Sequence, residues 1–231
     1  IYIERLFKMK YNRIISIGGH HLDAELMGGP LMIKYAQKGA HCTMVNVTEG
    51  RLEGNQVTEQ EKLAYLENIR KENQLVAEKM GCDIYNMGYT SATVPAQNEF
   101  IKILKAYMRE EKVDCVITHW RGTMHPRHYY TYETVTQAVL QLRQEGHSIQ
   151  LLYGENCEDL IGFIPTCYVS LDDIIVETWF NALKNYTIFN GQVNTVPYQE
   201  YYQAQLKVRA IESGCPHPVK AYMHAPLFDN E

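Results

Sequence analysis

No stretch of this 231-residue chain approaches 18 consecutive apolar residues, so no membrane-spanning helix is expected. No run of five like charges occurs either, and the net charge is only −5, from 22 Lys+Arg against 27 Asp+Glu. A nucleic-acid partner would call for a basic stripe, and none is visible. The six cysteines form no C-x-x-C pair and most lie inside apolar runs. They read as reduced, buried thiols of a cytoplasmic protein. The N-terminal IYIERLFKMK mixes charges into a short apolar stretch and lacks the core of a signal peptide. What is there is a core: 45% of the residues are apolar and 11% aromatic, which excludes a disordered chain. At this length about 70% of the surface can be buried on folding.

Strand-like and helix-like segments alternate at intervals of about thirty residues. Strands are predicted over 13–18, 41–47, 82–87, 113–119 and 149–153, with helices over 26–38, 61–80, 96–111 and 128–144. Such alternation predicts an α/β fold with a mostly parallel sheet flanked by helices. After residue 154 the pattern loosens, giving an edge strand over 166–170, helices over 172–185 and 198–213, and a proline-broken tail. The chain therefore reads as one α/β domain over 1–231, with a core sheet over 1–153 and a C-terminal subregion over 154–231.

Open α/β sheets bind ligands beyond the carboxyl ends of their strands, where the strand order reverses. With the order 3-2-1-4-5, the reversal falls between the first and fourth strands. After the first comes Gly18-Gly19-His20-His21-Leu22-Asp23; after the fourth, His119-Trp120-Arg121-Gly122-Thr123-Met124-His125-Pro126-Arg127-His128. Five of the nine histidines lie in these two turns. His20 and Asp23 stand three residues apart, as do His125 and His128, so two neighbouring turns can offer His, Asp and His to one ion. The bland alternative makes these histidines loop residues and helix caps. Glu49, Arg51, Trp120 and Arg121, in the loops after the second and fourth strands, are candidate substrate contacts through charged hydrogen bonds and stacking. Alternatively the arginines form structural ion pairs and Trp120 packs beneath its loop.

The segment GGHHLDAELMGGPLMIKY resembles the first motif of the zinc-dependent de-N-acetylases of the LmbE/PIG-L family, A-H-P-D-D followed by a Glu and a Gly pair. THWRGTMHPRH resembles that family's second motif, H-P-D-H. Further similarity lies in Thr48-Glu49-Gly50, in RKENQLVAEKMG, in Tyr168-Val169-Ser170-Leu171-Asp172 and in Lys207-Val208-Arg209-Ala210. The resemblance implies a Rossmann-like sheet, a Zn2+ or other divalent cation, and hydrolysis of an N-acyl amino sugar or similar small N-acyl amine. It also implies a tendency to homo-oligomers.

Two registers fit the first motif. In the first, His20, Asp23 and His128 are the metal ligands, and Leu22 takes the place of the Asp that serves as general base. In the second, His21 is the ligand and Asp23 the base, which leaves Ala24 in the place of a ligand. Downstream spacing and the intact His-Asp-His set favour the first. The resemblance gives His125 the role of oxyanion stabiliser or proton donor to the leaving amine, while Arg127 replaces an Asp and puts a cation beside the site. Leucine takes up no proton, and losing a positioned base costs about 10²–10⁴-fold in rate. His21 and Glu25 are the candidate substitutes, Glu25 alternatively orienting a ligand. The competing expectation is a catalytically weak or repurposed relative that binds a sugar-like metabolite at the metal.

Overall fold

Apolar runs of four to eight residues alternate with helices and assemble into one mixed, mostly parallel seven-stranded sheet flanked by six helices. The computed structural model describes residues 11–50 and 57–225. In chain order the elements are β1 (Arg13–Gly18), α1 (Asp23–Ala36), β2 (His41–Thr48), α2 (Glu59–Met80), β3 (Asp83–Tyr89), α3 (Gln97–Glu110) and β4 (Cys115–Thr118). There follow α4 (Pro126–Gln144), β5 (Gln150–Gly154), β6 (Cys167–Ser170), α5 (Asp173–Leu183), α6 (Tyr198–Ser213) and β7 (Val219–His224). The strand order is β3-β2-β1-β4-β5-β7-β6. Its reversal falls between β1 and β4, which pair in parallel with Ile14 opposite Cys115 and Ile17 opposite Thr118.

The central strands are apolar on both faces because helices cover both faces. Ile14 joins a cluster with residues of α1, α2, α5 and α6. Ile15 and Ile17 point the other way, into a cluster with α3 and α4. Each such isoleucine contributes roughly 1.5–3 kcal/mol by its burial. Gly29 lets α1 pass close to α5: a Cβ there would lie 2.6 Å from Trp179 Nε1, which donates instead to the Glu25 carbonyl at 2.9 Å. Helix α2 starts on a capping box between Thr58 and Glu61 and stops at Gly81, whose φ is +68°.

The tail read as broken by proline is a strand. β7 runs antiparallel to both neighbours, inserted between β5 and the edge strand β6. Its apolar alternation is hidden by Lys220, which is fully buried. The ammonium donates to the Glu155 carbonyl at 3.0 Å and to Gln205 Oε1 at 3.1 Å, and lies 5.0 Å from the Tyr202 ring centre. Burial pushes its pKa down to about 8. All six cysteines are free; Cys42 and Cys115 are buried and the other four partly so. Among the described residues no helix is long and apolar enough to cross a membrane.

Candidate metal centre

At the switch point the chain leaves β1 through Gly18-Gly19 and enters α1 at Asp23. The turn needs a left-handed residue, and Leu22 supplies it with φ +78°. That conformation costs a non-glycine residue about 1–3 kcal/mol and is held only where the surroundings impose it. Here the apolar side chain is buried in the core beneath the turn. Gly19 packs against the start of α4, where a Cβ would come within 3.1 Å of Arg127 Cγ and 3.3 Å of His128 Cδ2.

Asp23 is the hub. Its Oδ2 accepts the His20 backbone N–H at 2.8 Å and lies 3.3 Å from both His20 Nδ1 and His128 Nε2. Its Oδ1 accepts from Asn156 Nδ2 at 3.0 Å. A tetrahedral ion with bonds of 2.0–2.2 Å spaces its ligand atoms about 3.3–3.6 Å apart. The two edges that meet at Asp23 Oδ2 have that spacing, so Asp23 with either histidine has donors placed to share one divalent cation. Burial opposes ionisation of Asp23, but His128 beside it favours the charged form and the carboxyl is held well below its usual range. Burial likewise opposes charging His128, yet Asp23 and Asp159 push that ring up to about 11. Two buried carboxylates thus demand a positive charge here, from a proton or a cation.

Asp159, fully buried beyond β5, orients both inner histidines. Its Oδ2 lies 2.6 Å from His119 Nδ1 and its Oδ1 2.9 Å from His128 Nδ1. His128 therefore presents Nε2 to Asp23, as a ligand held by a carboxylate does. Donor atoms of His20, His125 and His128 lie within 4.8 Å of one another, and so do those of Asp23, His119 and His128. His119 is already occupied: Nε2 accepts the Gly19 N–H at 2.9 Å while Nδ1 faces Asp159. That bond needs the lone pair on Nε2, which leaves none for a metal.

The centre opens into a cavity of about 240 Å³. The turn lines it with His20, His21, Leu22 and Asp23, α1 with Leu26, and the start of α4 with His125 and His128. The strap after β5 adds Asn156 and Glu158, and the segment leading into α6 adds Ile188, Asn194 and Tyr198. Burial, with His128 and His20 beside it, pulls His125 down to about 4, and its Nδ1 is buried without a partner. His21 is likewise pulled to about 4 by burial, and its Nδ1 is also unpartnered.

The remaining sequence candidates sit elsewhere. Glu25 is fully buried behind the cavity wall, accepting from Tyr186 at 2.8 Å, and burial raises its pKa to about 7. Glu49 is taken up by Arg70, which donates to both its oxygens. Trp120 packs between Tyr132 and Tyr153 and donates to the Ile161 carbonyl, with Arg121 stacked on it at 5.0 Å. None of these four lines the cavity. Arg51 lies outside the described residues. Arg127 turns away too, over the Tyr130 ring, so the low pKa of His125 owes nothing to it. Asn156, Glu158 and Asp159 were missed by sequence reading. The signal was their place: three polar side chains just past the end of a strand adjoining the switch point.

The family model described as PIG-L: GlcNAc-PI de-N-acetylase matches residues 15–139. No curated protein matches the chain. Among solved structures, the N,N'-diacetylchitobiose deacetylase of Pyrococcus horikoshii superposes with a TM-score of 0.73 at 18% identity, over 97% of this chain and 87% of that one. The 4-carboxy-2-hydroxymuconate hydratase of Pseudomonas putida KT2440 gives 0.73 at 14% identity, over 96% and 99%. The zinc-inhibited form of the teicoplanin deacetylase Orf2 gives 0.66 at 13% identity, over 95% and 100%.

Proposed function

The chain belongs to the PIG-L family of GlcNAc-PI de-N-acetylases, and from that premise we propose that it is a metal-dependent hydrolase cleaving the amide of an N-acyl amino sugar or a similar small N-acyl amine. The observation that carries the reading is the convergence of His20 Nδ1 and His128 Nε2 on Asp23 Oδ2, each at 3.3 Å. His20, Asp23 and His128 would hold Zn2+ or another divalent cation. Bound there, such a cation polarises an amide carbonyl and acidifies water. Asp159 holds His128 in the tautomer that faces the site, and Asn156 fixes the rotation of the Asp23 carboxylate. His125 is neutral near pH 7, so its ring carries one N–H, the donor that an oxyanion needs. The apolar walls from Leu22, Leu26 and Ile188 exclude water beside it, and Asn194 and Tyr198 offer hydrogen bonds to a hydroxylated substrate.

Zinc-loaded protein is expected to release acid from at least one member of a panel of N-acyl amino sugars and amines. A metal-replete sample that releases none overturns the reading. A second reading, a binding protein for a sugar-like metabolite, is favoured by Leu22, which lines the cavity where an acid would be needed. Leu22→Asp separates the two: a gain of a hundredfold or more over a nearly inert wild type supports the binding protein.

A further inference from the structure

The cavity has lost a carboxylate at Leu22, but it has a second one from elsewhere in the chain. Among the described residues that line it, only Asp23 and Glu158 are acidic. Asp23 is consumed by the His20 N–H, Asn156 and the two histidines. Glu158 is not: among the described residues its carboxylate makes no hydrogen bond, and Oε2 stands 3.7 Å from His128 Nε2, the atom that faces the metal centre. That distance is slightly longer than the edge of a tetrahedral zinc site, about 3.3–3.6 Å. It leaves the oxygen at the mouth of the cavity, beside the His128 nitrogen that faces Asp23.

The backbone beneath this side chain is fixed, while among the described residues the side chain itself makes no hydrogen bond and has only the ion pair with His128. The Glu158 N–H donates to Asn156 Oδ1 at 3.2 Å, and Asn156 in turn donates to Asp23. The next residue, Asp159, is clamped by His119 and His128. The Glu158 side chain nevertheless remains 55% exposed at the mouth. A group that must collect a proton at one atom and deliver it to another is served by this combination of an anchored backbone and a tip that opens on the cavity. The two substitutes legible in the sequence lack it. Glu25 is outside the cavity and hydrogen-bonded to Tyr186, and His21 is pinned in the turn against Gly50.

We propose that Glu158 is the carboxylate that positions the attacking water and accepts its proton, replacing from the strap after β5 the acid absent at Leu22. This rests on the amide-hydrolase reading above. The water oxygen bonds to the acyl carbon as one of its O–H bonds breaks, the proton passes to a Glu158 oxygen, and the carbonyl electron pair moves onto its own oxygen. When that pair returns, the C–N bond breaks, and the amine nitrogen takes the proton back from Glu158. The products are one carboxylic acid and one amine, and Glu158 ends as it began.

Glu158→Gln keeps the shape and removes the basic oxygen at a partly exposed position, so the variant is expected to fold. On an N-acyl amine turned over by the wild type, kcat should fall about 10²–10⁴-fold. KM and zinc affinity, the latter read by competition with a chelating dye, should stay within threefold. Wild-type kcat in the variant overturns the assignment and leaves the hydrolase reading standing. A tenfold or greater loss of zinc affinity also overturns it, because Glu158 would then be a ligand. A wild type that hydrolyses nothing overturns both readings together.

Discussion

The turn after β1 and the strap after β5 face each other across one cavity, and they hold their polar groups by different means. The turn relies on backbone geometry. Gly19 admits the start of α4, Leu22 accepts a left-handed φ, and the His20 N–H reaches Asp23 three residues on. The strap relies on side chains and charge. Glu155 is ion-paired with Arg209, its carbonyl accepts from buried Lys220, Asn156 reaches Asp23, and Asp159 bridges His119 and His128. The turn supplies two of the three proposed ligands, His20 and Asp23, the start of α4 supplies His128, and the strap supplies the groups that orient them.

Substitutions on either side can break that contrast. The largest effect is expected from Asp23→Ala, where both elements meet. Zinc affinity, measured by chelator competition, should fall by more than the 10–100-fold that an orienting partner is worth. Next is Lys220 beneath the strap. Its folded pKa, about 8, lies below its ordinary value, so the folded state binds fewer protons than the unfolded one between about pH 8 and 10.5. Stability therefore rises with pH across that window relative to Lys220→Met, by about 3 kcal/mol at most. Parallel urea titrations of both proteins at pH 7.5, 9 and 10.5 test this; parallel curves with no narrowing or widening of the gap refute it.

Asp159→Asn tests orientation alone. It should cost about 10–100-fold in zinc affinity while His20 and Asp23 stay in place. Equal affinities would show that the strap is dispensable and the turn sufficient. The smallest effect belongs to Gly19→Ala. Its closest new contact is the flexible Arg127 side chain at 3.1 Å, so the melting midpoint should drop by a few degrees and zinc affinity by less than threefold.

The turn was legible in the sequence and the strap was not, for the same physical reason. His20 with Asp23, and His125 with His128, are close along the chain, so spacing alone exposes them. Asp159 meets His128 across 31 residues and Asn156 meets Asp23 across 133, and no local pattern encodes such pairs. The sheet divides likewise. The five parallel strands announce themselves as apolar runs at regular intervals, whereas β7 carries a buried lysine that imitates a surface residue. The departure at Leu22 was visible, but its remedy was not, because Glu158 reaches the cavity only through the fold.

The insertion of β7 between β5 and β6 also sets an order of assembly. β5 bears the strap, and its outer edge is completed by residues 222–224. Lys220, which ties down the Glu155 carbonyl, is on the same late strand. During synthesis the turn and the first five strands emerge long before the residue that tethers the strap. The strap therefore gains its tether last, and a nascent chain stalled before β7 carries Asn156 and Asp159 on a segment that Lys220 has not yet tied down.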